Sequence, residues 1–241
     1  MVLVSSRMRP LYLLLIACLL FAPVAELRAQ QALPQGEYVI VAGGVSLMMW
    51  EKYKRQPHDN WWLNFIRASR IRIAEIRSQY PDMPVTLMVY APAYKRRQAY
   101  QSEGDLFGII RSVPAAYNVK LVLFSQQSEL INYLNNRSAG RLSGFEYFGH
   151  SNKACFLFDY SNEIGSASKV WLHERELNKL NRGIFANGAY VKSWGCHTGE
   201  SMSQKFKAAT GVKMIGAAGK TQYMTETLPV ISTAGGHWVG Q

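Results

Sequence analysis

Three cysteines in 241 residues are too few for a disulfide framework, which excludes the small secreted scaffolds stapled by several bridges. Nine prolines and 19 glycines recur without period, so collagen-like and low-complexity chains are excluded as well. Charged side chains make up only 18% and hydrophobic ones 48%, a balance that forms a packed core rather than a disordered chain. Acidic residues are scarce: 16 Asp and Glu stand against 27 Lys and Arg, a net charge of +11. That surplus favours anionic partners, but no pattern specifies nucleic acid. Long hydrophobic runs are missing too, since the longest, Leu11 to Ala25, has about fifteen residues against the ~20 of a spanning helix. No transmembrane span is expected once the leader is removed.

That run has another use. Arg7 and Arg9 precede it, no acid does, and Leu27-Arg28-Ala29 puts a small residue at a cleavage position. Residues 1–29 read as a secretory signal peptide and 30–241 as one exported domain, periplasmic or secreted. Leu15-Ile16-Ala17-Cys18 also fits a lipobox, which would make Cys18 a lipidated N-terminus. Loss of Arg7, Arg9 and Arg28 together with Glu26 removes two net positive charges and leaves +9 on the mature chain. Cys155 and Cys196 alone remain, either as one bridge or with one thiol free for chemistry.

Strand-length apolar runs alternate with helical periodicity along the rest of the chain. Strands are expected at Tyr38–Ala42, Val85–Ala91, Val119–Phe124, Gly144–Phe148, Ala189–Trp194 and Val212–Ala217. Helices are expected at Trp61–Ser78, where Trp62, Ile66, Ser69, Ile73 and Ile76 share one face, and at Gln127–Asn136, Trp171–Asn181 and Gly199–Ala209. This alternation predicts an α/β fold with a mainly parallel central sheet covered by helices on both faces.

In such sheets the reactive residues follow the carboxyl ends of strands. Two strand ends carry them: Gly144-Phe-Glu-Tyr-Phe-Gly149-His150-Ser151 and Ala189-Tyr-Val-Lys-Ser-Trp-Gly195-Cys196-His197. Each ends in Gly and then delivers one catalytic-type side chain. Adjacent strands would bring His150 and Cys196 together, with a helix starting near Gly199 or Glu200 favouring the thiolate. Cys196 is then the nucleophile, His150 the general acid and base, and the backbone N–H groups of Ser151 and Cys196 the oxyanion donors. Either residue alone reads as ordinary core chemistry; the pairing on matched strand ends is the signal. Cys155, inside Ala154-Cys-Phe-Leu-Phe158, reads as core packing. A zinc site drawn from His150, Cys155, Cys196 and His197 lacks ligand-pair spacing.

These two motifs resemble the caspase-like (clan CD) cysteine peptidases, a family that includes caspases, gingipains, legumain, separase and the self-cleaving protease domains of bacterial toxins. An apolar strand ending in the catalytic His is followed some forty to fifty residues later by one ending in Ala-Cys or Gly-Cys. The stretch Leu123 to Leu134 and the ending Gly236-His-Trp-Val239 are similar to bacterial and toxin members. Ser151 stands where the family has Gly, which keeps the N–H but narrows the loop geometry. The resemblance implies a caspase-like three-layer sandwich and an endopeptidase acting on protein or peptide substrates without metal or organic cofactor. Asp159, Glu163 and His197 are the substrate-binding candidates, and Lys95-Arg96-Arg97 is the candidate for a polyanion. Two other readings are a catalytically inactive caspase-like binding protein and an L,D-transpeptidase-like cell-wall enzyme. Ser193-Trp-Gly195-Cys196 matches the motif of the latter, although that family is all-β and expects Arg where Thr198 stands.

Overall fold

The computed structural model describes residues 33–45, 63–100, 105–159, 169–224 and 226–240. The leader with Cys18, the beginning of the first predicted helix, and Glu163 lie outside them. Leu33–Gln241 forms one compact unit.

Strand β1, Glu37–Ala42, is buried along its whole length, as a run of Tyr, Val, Ile and Ala in mid-sheet must be. It pairs in parallel with β2, Val85–Tyr90, on one side and with β4, Leu142–Phe148, on the other. β3, Lys120–Phe124, extends the sheet beyond β2, and β8, Phe185–Ser193, extends it beyond β4. The order is β3-β2-β1-β4-β8, all parallel. The chain therefore builds outward from β1 through β2 to β3, then returns to lay β4 on the opposite side. The point where strand order reverses falls between β1 and β4, and the ends of β4 and β8 lie beside it.

Side chains alternate across the sheet. On one face Arg72 of helix α1, Asn64–Gln79, reaches Glu146 and Tyr38. Helix α3, Leu106–Tyr117, lies beside α1, where Arg77 Nε donates 2.8 Å to the Tyr117 carbonyl. On the other face the Tyr133 hydroxyl of α4, Gln127–Asn135, donates 2.6 Å to Glu37. Phe206 of α5, Met202–Thr210, packs there against Phe145 and Phe185, ring centroids 6.2 and 5.7 Å away. Helices cover both faces of a parallel sheet, the three-layer arrangement expected of a caspase-like sandwich.

Four local expectations change. Trp171–Asn181 is not one helix: Trp171–His173 is a strand, β7, and Glu174–Lys179 a 3-10 turn capped by His173. β7 completes a small antiparallel sheet with β5, His150–Ser151, and β6, Cys155–Leu157, and its pairing with β6, Cys155 to Leu157 against His173 to Trp171, takes these residues into a strand. Lys95, Arg96 and Arg97 do not form a surface cluster. They lie on helix α2, Ala91–Tyr100, with Arg97 buried and Arg96 held 2.7 Å from Asp159. α5 begins at Met202, later than Gly199. The last expected strand is shorter than Val212–Ala217: Ile215 bridges Lys192, and β9 spans Gly216–Ala218. Three short strands follow, β10 (Thr221–Gln222) against β11 (Val230–Ile231), and β12 (His237–Val239) against β9. Among the described residues no helix is long and apolar enough to cross a membrane.

Candidate active site

The site begins with register. Tyr147 on β4 is paired with Ser193 on β8, and the Trp194 amide continues the ladder with a 2.9 Å bond to the Tyr147 carbonyl. One residue further, Phe148 and Trp194 stack with centroids 5.6 Å apart and planes 13° from parallel. The next pair is Gly149 and Gly195, and beyond it come His150 and Cys196. Both glycines are required by close approach. A Cβ on Gly195 would lie 2.1 Å from the Ser151 hydroxyl, and one on Gly149 would lie 2.3 Å from the Tyr147 hydroxyl. That Tyr147 hydroxyl donates 2.7 Å to the His150 carbonyl, and Ser151 Oγ donates 2.7 Å to the Cys196 carbonyl. Ser151 thus binds the His-bearing loop to the Cys-bearing one.

A buried carboxylate backs this arrangement. Glu146, fully inaccessible, accepts from Trp194 Nε1 at 2.5 Å, from Arg72 Nε at 2.5 Å and from the Tyr38 hydroxyl. Burial works against the Arg72 charge, yet Glu146 and Tyr38 hold its pKa above the ordinary value. Lys192, opposite Glu146, places its ammonium 3.6 Å from the Trp194 ring centre and 3.9 Å from that of Trp238. Burial, with Arg72 nearby and only partly offset by Glu146, lowers the Lys192 pKa to about 8. Trp194, immediately before Gly195-Cys196, is therefore fixed by a stack, a hydrogen bond and a cation.

The oxyanion candidates keep their donors. Asn152 donates 3.1 Å to the Cys155 carbonyl at the hairpin end, so the alternation of an antiparallel ladder turns the Ser151 N–H away from β6. The Cys196 N–H has no acceptor among the described residues. The helix expected behind the sulfur is displaced. α5 starts six residues beyond Cys196, and its first amides donate to the Lys153 and Thr198 carbonyls at 2.9 and 3.0 Å.

The sulfur has a partner that the sequence does not announce. The Thr221 amide donates 3.4 Å to Cys196 Sγ, and the Thr221 hydroxyl lies 3.6 Å from it. No hydrogen bond joins Sγ to the His150 ring among the described residues. His150 packs edge-on against Phe65 at 5.0 Å, and Phe65 against Tyr223 at 4.9 Å. Tyr223 in turn accepts the Gly149 N–H at 2.9 Å. Thr221 and Tyr223 stand two apart in a polar segment, with no pattern to mark them.

The remaining candidates separate. Cys155 is buried on β6, and burial, reinforced by Glu174 and Glu176, pushes its thiol up to about 11. Both cysteines are free, so no bridge joins them. Asp159 is 2% exposed and bound to Arg96 and, at 2.9 Å, to Tyr90; the substrate-binding role expected of it gives way to an internal ion pair. His197 has a left-handed backbone, φ 62°. Its ring lies 2.6 Å from Glu200, whose pKa the contact lowers, and borders a shallow cavity with Lys153, Cys155 and His173. Comparison with family models, curated proteins and solved structures finds no match for this chain.

Proposed function

We propose that this protein is an exported caspase-like cysteine endopeptidase, periplasmic or secreted, with Cys196 as nucleophile and His150 as general acid and base. The observation that carries the reading is the shared register of β4 and β8, with the Phe148–Trp194 stack delivering Gly149-His150 and Gly195-Cys196 to adjacent strand ends. Cys196 Sγ, its proton passed to His150, attacks the scissile carbonyl. The oxyanion forms against the N–H groups of Ser151 and Cys196. The C–N bond breaks as His150 returns the proton to the leaving amine, and water then releases the acyl group from sulfur.

A second reading has an observation of its own. Sγ accepts a hydrogen bond from the Thr221 amide, and among the described residues no hydrogen bond joins it to the His150 ring, as an inactive, binding member of such a family would tolerate. The parallel α/β sheet argues against the transpeptidase-like alternative, which belongs to an all-β fold. A peptide library decides between the first two. Mature protein yields a defined set of cleavage products that Cys196→Ala abolishes; products of equal yield in both proteins, or none in either, would contradict the peptidase reading.

A further inference from the structure

Strand β10 and the residue after it touch both reactive loops. Thr221 meets Cys196 through its amide, 3.4 Å from Sγ, and its hydroxyl, 3.6 Å away. The hydroxyl has one proton, and in this structure it is donated to the Trp194 carbonyl at 2.8 Å. Toward sulfur Oγ1 therefore presents a lone pair, which suits a protonated thiol donating S–H. The carbonyl of Thr221, 3.8 Å from Sγ, suits the same state. The amide N–H, by contrast, favours a thiolate. Two residues on, Tyr223 accepts the Gly149 N–H and packs on Phe65, which holds the His150 ring.

We infer that Thr221 and Tyr223 are positioning residues of the candidate site, Thr221 setting the state of the Cys196 thiol and Tyr223 the placement of the His150 loop. This rests on the peptidase reading for its purpose but not for its test. On ionisation the Sγ–H bond breaks and its proton passes to the base, assigned above to His150. The Thr221 hydroxyl then turns from the Trp194 carbonyl to sulfur, so that amide and hydroxyl both donate to the thiolate. An N–H bond forms on the base as S–H breaks, and no other covalent bond changes.

The experiment measures iodoacetamide labelling of Cys196 against pH in a Cys155→Ser background. Thr221→Val removes the hydroxyl and keeps the shape. Labelling at about pH 6.5 should fall about tenfold, the scale of one lost charge-assisted hydrogen bond, with the high-pH plateau unchanged and the rate restored in Thr221→Ser. Tyr223→Phe keeps the ring on Phe65 and should slow labelling no further when combined with His150→Ala, because both act through one loop. An unshifted profile in Thr221→Val, or failure of Ser to restore it, overturns the role of Thr221. Parental labelling in Tyr223→Phe, or losses that multiply in the double variant, overturns that of Tyr223. Failure of the peptidase reading shows separately, as absent peptide turnover in a protein whose Cys196 labelling still depends on Thr221.

Discussion

Two cysteines and one lysine show how position decides chemistry. Cys155 is buried in β6 with its thiol raised to about 11, so its thiolate fraction near pH 7 is on the order of 10⁻⁴ and rises tenfold per pH unit. In folded protein, limiting iodoacetamide near neutral pH should modify Cys196 first, with Cys155 becoming reactive only toward about pH 10; peptide mapping of the alkylated protein checks the order. Lys192 behaves in the opposite sense. Its folded pKa of about 8 lies below the ordinary lysine value, so at high pH the unfolded chain binds the extra proton. The cost of burying the ammonium is present in full below about pH 8 and relieved as pH rises through the next two units. The urea midpoint of the parent should therefore rise between about pH 7.5 and 10 relative to that of Lys192→Met. Parallel curves would show that the indole rings of Trp194 and Trp238 compensate the charge completely.

At the scale of elements, the core strands and the two site motifs are legible because apolar runs of five to seven residues, ended by Gly in β1 and β4, admit few other structures. β1, β2, β3 and α4 match expectation to within a residue or so, as do the ends of β4 and β8. The two helices α2 and α3 were not legible. α2 continues directly from β2 without a turn residue, and α3 contains Gly108 and Pro114, which break helical pattern although Leu106, Ile110 and Val113 are buried on one side. The expected helix at Trp171–Asn181 failed because pairing with β6 decides the first three residues, a long-range contact that local periodicity does not carry. Thr221 and Tyr223 are invisible for the same reason. The lone acid in β4 is a signal in itself: Glu146 sits among apolar neighbours and ties β4 to β1 through Tyr38, to α1 through Arg72 and to Trp194 just beyond β8. Among the described residues, Glu146→Gln leaves the buried Arg72 guanidinium with one carboxylate partner, the half-exposed Glu75, 2.8 Å away. Urea unfolding should register a loss of about 3 kcal/mol, the low end for breaking a buried pair.

For the molecule as a whole, the topology does what no single motif can. Reversal of strand order between β1 and β4 places the His- and Cys-bearing loops next to the natural ligand crevice of a parallel sheet. Part of the positive charge of the chain is internal, with Arg72, Arg97 and Lys192 buried and Arg96 in an ion pair. Of Lys95-Arg96-Arg97, Lys95 alone is exposed. The central claim, that this edge of the sheet performs acyl transfer on Cys196, is tested most directly by trapping the acyl group. Mature protein mixed with an activated peptide ester, quenched in acid within seconds and digested, should carry the acyl mass on the peptide containing Cys196. None should appear on the peptide containing Cys155, and adduct formation should slow in His150→Ala. An adduct on Cys155 instead, or equal acylation of Cys196 with and without His150, would contradict the account.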